Sequence, residues 1–300
     1  MITGNVPEKI YGLLGKGISY SLSPAMHNAA FRHFGIRAEY KLFDLEAGGL
    51  DGFLSDASSR GVIRGFNVTV PYKVDVFNKL DSHEAWEIDP RMRFLGAVNT
   101  VTINDGRMVG TNTDGLGFCF SLVNDVQFDP KGKRVFVCGA GGAGRAICMS
   151  LAAMGIEGPE KIYIYDIDRS KLSELERECG SASGNKVCEP VEKKDMEKAL
   201  EESGLIINAT SIGTGKDDDR SPVPIESLKK GKAVYDIVYA RETRLIKEAK
   251  KQGLKAVNGL GMLVNQAAIA FEIWTHEYRE KVKEVMMPAA LAELKKKDIE

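Results

Sequence analysis

Hydrophobic positions recur along this chain in two different registers, and the change between them divides it. In the first part, Lys9–Leu14 reads as a strand, Ala38–Leu45 alternates as a second, and Leu50–Ser59 reads as a short helix stopped by Gly61. Between the two strands a helix is expected, with Ser23 as N-cap, Pro24 as first helical residue and Gly35 as the stop. From Gly65 to Lys73 the alternation puts Phe66, Val68 and Val70 on one side and Asn67 and Thr69 on the other. Pro71 ends that strand and suits the first turn of a helix over Tyr72–Leu80. Ala97–Ile103 and Arg107–Gly110 are joined by Asn104-Asp105-Gly106, a hairpin signature because these residues tolerate positive φ. Polar Thr111-Asn112-Thr113-Asp114-Gly115 then leads into a helical run, Phe118–Val126.

Beyond Gln127–Lys133 the pattern becomes regular. Strand-like runs fall at Arg134–Cys138, Lys161–Tyr165, Lys186–Cys188, Leu205–Asn208, Ala233–Val238 and Lys255–Val257. Helical segments such as Ser170–Cys179, Lys194–Glu202 and Thr243–Gln252 lie between them. Such alternation predicts an α/β fold with a parallel sheet covered on both faces and ligands at the carboxyl ends of the strands. The charged run Lys216-Asp217-Asp218-Asp219-Arg220 reads as a solvated loop. Leu260–His276 is a long apolar helix interrupted by Gln266, and Pro288 is expected to precede a final helix ending in lysines.

The first of the regular strands runs into Gly139-Ala140-Gly141-Gly142-Ala143-Gly144, where Gly139, Gly141 and Gly144 space G-x-G-x-x-G between strand and helix. The first glycine permits a tight turn, the second a close approach to a pyrophosphate, and the third the packing of helix on strand. Unpaired N–H groups and the positive end of the helix dipole then face the phosphates.

Composition narrows the classes without adding one. The 300 residues allow two domains, and 43% hydrophobic with 28% charged residues is a globular balance. A formal charge of −1 offers no general attraction to nucleic acid or anionic membrane. No apolar run has the length of a membrane span, and Met1–Lys9 lacks a signal-peptide core. Five scattered cysteines without C-x-x-C read as reduced thiols of a cytoplasmic protein. The four histidines have no ligand spacing, so no metal is expected, and His27 reads as structural. Neither a G-x-S-x-G elbow nor a GKS/GKT phosphate loop is present.

Three features carry candidate chemistry. Ser21 and Ser23, two apart at a helix entrance, offer hydroxyls to a polar ligand, although Ser23 could serve as a cap alone. Lys73 falls near a helix start, where a cation meets the wrong end of the dipole. Asp114 stands just before a helix, where capping is the commoner use.

Read in order, the segments Tyr20-Ser21-Leu22-Ser23-Pro24-Ala25-Met26-His27-Asn28, Gly65–Lys73, Gly96-Ala97-Val98-Asn99-Thr100, Asn112-Thr113-Asp114-Gly115, the glycine turn, Asn208-Ala209-Thr210-Ser211, Asp236-Ile237-Val238-Tyr239 and Gly259–Gln266 resemble the shikimate dehydrogenase family, its quinate/shikimate branch included. The resemblance spans nearly the whole chain. It implies an N-terminal α/β substrate domain (1–114, joined by helices in 261–300), a Rossmann-type doubly wound domain (115–260), and a cleft between them. It implies an enzyme reducing 3-dehydroshikimate with a nicotinamide cofactor on the route to chorismate and the aromatic amino acids. Lys73 and Asp114 look like the catalytic pair, expected to exchange a proton as one unit. Ser21, Ser23, Asn67 and Thr69 match the family's substrate contacts, as do Asn99, Tyr239 and Gln266 and the pair Lys73 and Asp114. Hydroxyl and amide partners of this kind suit a ligand with one carboxylate and several hydroxyls. For the cofactor the resemblance points to the turn 139–144 with Asp166, Arg169, Thr210, Ile237 and Gly259.

The chain departs from the family pattern in three places. Gly15-Lys16-Gly17 stands where a proline is usual, and Ala240-Arg241-Glu242 replaces a proline-containing stretch after Tyr239. Where NADP-using members carry Asn-Arg-Thr, this chain has Asp166-Ile167-Asp168-Arg169. Asp166 lies about 20 residues past the turn, where a carboxylate accepts from the free ribose hydroxyls of NAD and repels a 2′-phosphate. NAD is therefore expected over NADP, with Arg169 as a partial offset. Competing readings are a catabolic quinate dehydrogenase, against which Ser23 in place of threonine leans, a reductase of another small carbonyl, and a non-catalytic dinucleotide sensor. A homodimer is one assembly the sequence allows.

Overall fold

The computed structural model describes residues 9–59, 61–90, 92–184, 186–215 and 218–297. They form two compact units, one of residues up to Thr113 together with those from Val264 onward, the other Asp114–Leu263. No helix among the described residues is long and apolar enough to cross a membrane.

The first unit holds β1 (Lys9–Gly15), α1 (Ser23–His33), β2 (Ala38–Asp44), α2 (Leu50–Ser59), β3 (Ile63–Val68), α3 (Lys73–Asp81), β4 (Glu87–Ile88), β5 (Thr100–Asn104) and β6 (Arg107–Thr111). Its sheet runs β2-β1-β3-β5-β6-β4. The strands β2, β1 and β3 are parallel, β5 and β6 run as an antiparallel hairpin, and the two-residue β4 pairs parallel with β6. Asn104 opposes Arg107, leaving Asp105 and Gly106 as a two-residue turn with φ of 49° and 81°. Positive φ at both central positions is the turn whose twist matches a hairpin.

Three local expectations shift here. The strand expected to run to Pro71 ends at Val68, and Val70 is exposed while Phe66 and Val68 are buried. Ser23 does not cap α1 but is its first residue, and its N–H is taken by the Ser21 hydroxyl at 3.2 Å. Pro288 does not precede the last helix: α10 (Arg279–Lys297) runs straight through it. Val282, Met286 and Ala290, one helical turn apart, are buried on the face that packs on α1, so tertiary packing on both sides of the proline holds the helix together.

The second unit continues with α4 (Asp114–Ser121), which passes into a wider π-type turn at Leu122–Val126 in place of the single helix expected there. Then come β7 (Arg134–Cys138), α5 (Gly142–Ala152), β8 (Lys161–Tyr165), α6 (Arg169–Ser183), β9 (Cys188–Pro190), α7 (Met196–Glu202), β10 (Leu205–Asn208), β11 (Ala233–Asp236), α8 (Arg244–Lys251) and β12 (Lys255–Asn258), and α9 (Leu260–Thr275) leads back into the first unit. All six strands are parallel in the order β12-β11-β10-β7-β8-β9. The order reverses between β7 and β10, the doubly wound arrangement with its switch point there. Strands β10 and β11 are buried at every position, as strands covered by helices on both faces must be. β9 lies two residues later than expected, with Pro190 on the sheet edge where a missing N–H costs least. In the charged run, Lys216 and Asp217 lie outside the described residues. Asp219 and Arg220 are exposed, as expected, while Asp218 is half-buried, its carboxylate accepting from the Gly213 N–H at 2.9 Å and from Arg220 Nε at 2.7 Å.

Candidate functional site

In the second unit the candidate cofactor residues gather at the carboxyl ends of the strands. Gly139 follows β7 with φ of 99°, and a Cβ on it would lie 2.8 Å from the Ala209 carbonyl, where the chain leaves β10. A Cβ on Gly144 would lie 1.8 Å from the Gly139 carbonyl, so α5 can begin this close to the turn only without a side chain. Gly141 and Gly142 meet nothing within 4 Å, and α5 starts on Gly141 with no side-chain cap. Open space above uncapped N–H groups at a helix N-terminus suits a pyrophosphate. Ala140 and Ala143 complete the turn. Its edge is tied by Asp166 after β8, whose carboxylate accepts from the Ala140 N–H at 2.7 Å and the Asp168 N–H at 2.9 Å. Each carboxylate oxygen keeps a further lone pair for a ribose hydroxyl. Arg169 opens α6 with its side chain 83% exposed and 3.5 Å from Glu192.

Thr210, Ile237 and Gly259 follow the ends of β10, β11 and β12. Asn208 accepts from the Thr210 N–H at 3.0 Å and donates to Asp236 at 2.9 Å. Asp236 also accepts from the Val238 N–H at 3.0 Å and from Thr243 Oγ1 at 2.7 Å, which ends β11 before the Val238 expected from sequence. Burial outweighs these bonds and pushes its acid up to about 6. A Cβ on Gly259 would lie 2.1 Å from the Ile237 carbonyl, so these two loops also touch backbone to backbone. Tyr239 lies two residues beyond Ile237 on the same loop.

In the first unit the candidate substrate residues are linked by a buried lattice. Asn67 is buried on β3; its amide nitrogen lies 3.3 Å from the Asn99 carbonyl and 3.0 Å from Thr100 Oγ1. The Asn99 side chain accepts from the Thr113 N–H at 2.8 Å and donates to Thr113 Oγ1 at 3.1 Å. Thr113 Oγ1 lies 3.5 Å from Gln266 Oε1 on α9, which carries the lattice back to the last part of the chain. Tyr40 OH donates to Asn67 Oδ1 at 2.8 Å and is bonded to the Ser23 hydroxyl. Thr69 lies outside this lattice, its N–H on the Leu14 carbonyl at 2.9 Å. Lys73 is half-buried as the first residue of α3, and its carbonyl accepts from the Val98 N–H at 3.0 Å. Asp114, 8% exposed, is the first residue of α4 in the second unit. An open pocket of about 590 Å³ between α1, β2 and α10 includes Ser21 alone of the candidate set; Ala25, Ala29, Ala289 and Ala292 make much of its wall.

Sequence reasoning missed Tyr40, Thr100, Thr113, Asn208 and Asp236 as parts of these lattices. The signal for four of them was present, since they stand inside the motif segments; Tyr40 sits in a strand with no motif around it.

A doubly wound parallel sheet with a glycine turn at its switch point defines a Rossmann-type dinucleotide-binding protein, here with a separate α/β unit that holds a lattice of amides and hydroxyls. Two family models match: the shikimate dehydrogenase substrate binding domain over residues 13–101 and the shikimate 5′-dehydrogenase C-terminal domain over residues 259–278. A ThiF family model matches residues 123–206, which include the turn. The curated shikimate dehydrogenase (NADP(+)) of Geobacillus kaustophilus is 39% identical over 285 residues, 94% of this chain and 99% of that protein. A solved shikimate dehydrogenase in complex with NADP+ is 37% identical, with a TM-score of 0.83 over 95% of this chain and 96% of that one. The quinate dehydrogenase of Corynebacterium glutamicum in complex with NAD is 30% identical, with a TM-score of 0.83 over 94% of this chain and 99% of that one. The chain belongs to the shikimate dehydrogenase family.

Proposed function

We propose that the protein catalyses the reversible, nicotinamide-dependent reduction of the ring ketone of 3-dehydroshikimate to shikimate. The observation that carries this reading is the Ser23–Tyr40–Asn67–Asn99–Thr113–Gln266 lattice, whose short polar groups suit a polyhydroxylated acid, in a chain that also carries the dinucleotide turn. The turn 139–144 fits a pyrophosphate, and Thr210, Ile237 and Gly259 stand at the nicotinamide side of the same strand ends. When bound, the nicotinamide supplies or removes hydride. The chain's own task is to place the ring and to move one proton at the substrate oxygen. Lys73 is the proton donor in the direction of reduction, with Asp114 as its partner. Ser21, Ser23, Asn67, Thr69, Asn99, Tyr239 and Gln266 hold the carboxylate and the non-reacting hydroxyls.

For the dinucleotide, Asp166 favours the free ribose diol of NAD, and exposed Arg169 is the cation nearest in sequence for a 2′-phosphate. The curated relative named for NADP(+) supports the opposite preference. None of the five cysteines is in a disulfide, as suits a cytoplasmic protein. One steady-state comparison tests the whole reading, with shikimate and quinate each offered with NAD and with NADP. Shikimate is expected to give the higher kcat/KM, and NAD to exceed NADP. No turnover of shikimate with either dinucleotide would overturn the proposal, and a preference for quinate would move the protein to the quinate branch.

A further inference from the structure

We infer that Tyr40, to which the family resemblance gives no role, is a positioning residue of the substrate pocket: its phenol holds the Asn67 amide so that a ligand meets that side chain only as a hydrogen-bond acceptor. The inference rests on the shikimate reading and refines its specificity.

Asn67 is 5% exposed, and its amide has two donor hydrogens and one acceptor oxygen. The main-chain carbonyl of Asn99, 3.3 Å away, can only accept, so the amide nitrogen must face it; turning the amide over would set two oxygens against each other. The second N–H goes to Thr100 Oγ1 at 3.0 Å, which is able to accept because its own proton goes to Asn99 Oδ1 at 2.9 Å. Both N–H groups are thus spent within the protein. Asn67 Oδ1 then faces Tyr40 OH at 2.8 Å, and between two oxygens the phenol has to be the donor. Burial pushes the ionisation of Tyr40 well above its ordinary range, so the proton is always there to give. What remains on Asn67 is one lone pair.

Tyr40 is itself held on every side. Asn28 brackets its main chain, accepting from the Tyr40 N–H at 2.8 Å and donating to its carbonyl at 3.0 Å. His27 stacks flat on the ring, with centroids 4.2 Å apart and planes 2° from parallel. Burial pushes the His27 imidazole down to about 3, and neither of its ring nitrogens has a partner among the described residues. It serves as a neutral wall for the phenol. An acceptor fixed this firmly selects a ring hydroxyl, and an analogue without that hydroxyl leaves a buried lone pair unmet.

The test uses the full-length enzyme, shikimate, and the two deoxy analogues that each lack one non-reacting ring hydroxyl. Wild type is expected to disfavour one analogue by at least about 100-fold in kcat/KM. Tyr40→Phe is expected to raise KM for shikimate about tenfold, leave KM for the dinucleotide within about twofold, and cut discrimination against that same analogue about tenfold. Thr100→Val, which frees one Asn67 N–H without touching Tyr40, is expected to erode the same discrimination and not the other. A Tyr40→Phe enzyme that keeps the wild-type ratios, or loses activity on all three compounds alike, overturns the inference while leaving the shikimate reading in place. A wild type inactive on shikimate overturns both.

Discussion

Lys73 occupies the residue position in α3 where an ordinary lysine gains least, the first turn, with the positive end of the helix dipole around it. A surface lysine would be better placed at the other end, as Lys79 is in the last turn of the same helix. The proton transfer proposed for Lys73 would give a reason for the position. If Lys73 is the general acid, Lys73→Ala is expected to lower kcat by about 10²–10⁴-fold in a steady-state assay of shikimate oxidation, with the fold intact by circular dichroism. A variant within a few-fold of wild type would end the assignment. Other residues differ in how plainly they speak from sequence. Gly139 and Gly144 are legible because a Cβ on either would crowd a backbone carbonyl, and Gly144 at 1.8 Å from the Gly139 carbonyl is the clearest case; Gly141 meets nothing within 4 Å and is marked by the motif spacing alone. Asp166 is only half legible. Its distance from the turn makes it a candidate ribose partner, but its bonds to the Ala140 and Asp168 N–H groups, which brace the turn, depend on how two loops meet. Tyr40 is not legible at all. A tyrosine in an alternating strand reads as core, and nothing local shows that its hydroxyl reaches an amide 27 residues away.

At the scale of elements, periodicity identifies long pieces and fails where tertiary contacts overrule local preference. The parallel strands of the second unit are legible as apolar runs because both of their faces are covered. β4 is not, since two residues carry no period, and only pairing with β6 makes it a strand. Pro288 is the instructive failure. A proline inside a helix forfeits its N–H bond and crowds the carbonyl four residues back, which is why it reads as a boundary. In α10 the buried residues Val282, Met286 and Ala290 bracket it, and Pro288 itself is exposed, so the packed face continues past the defect. The helix tolerates the proline; it does not need it. Pro288→Ala is therefore expected to stabilise the first unit by about 2 kcal/mol, the interior cost of proline less the chain entropy it removes from the unfolded state. Urea denaturation followed at Trp274 and Trp86, both in that unit, measures this. A neutral or lower midpoint would show that the crowded carbonyl turns into solvent at no cost.

At the scale of the whole molecule, each unit holds a buried group whose shift falls in the acid range, His27 in the first and Asp236 in the second, and the two shifts have opposite consequences for stability. His27 lies in the first unit with its imidazole pushed by burial from 6.5 down to about 3. Between those values the unfolded chain binds a proton that the folded unit refuses. The stability His27 permits is therefore full above pH 6.5 and is lost as the pH falls, by about 2 kcal/mol from pH 7 to pH 5. Asp236 lies in the second unit with its carboxyl pushed by burial from 3.8 up to about 6. Here the folded unit binds the proton that the unfolded chain releases, so stability is greater at pH 5 than at pH 7, by about 1 kcal/mol, and is lost as the pH rises through 6. A single unfolding curve would blur these two slopes, because chains of two compact units need not unfold as one. Amide hydrogen exchange resolves them. Corrected for intrinsic rates, protection of α1 and β2 is expected to fall on acidification from pH 7 to pH 5, while that of β10 and β11 holds or rises. His27→Phe keeps the ring on Tyr40 and removes the proton, so it should flatten the first slope alone; Asp236→Asn should flatten the second alone. If protection in both units moves together, and neither variant changes it, then these two buried groups do not govern the acid response of the fold.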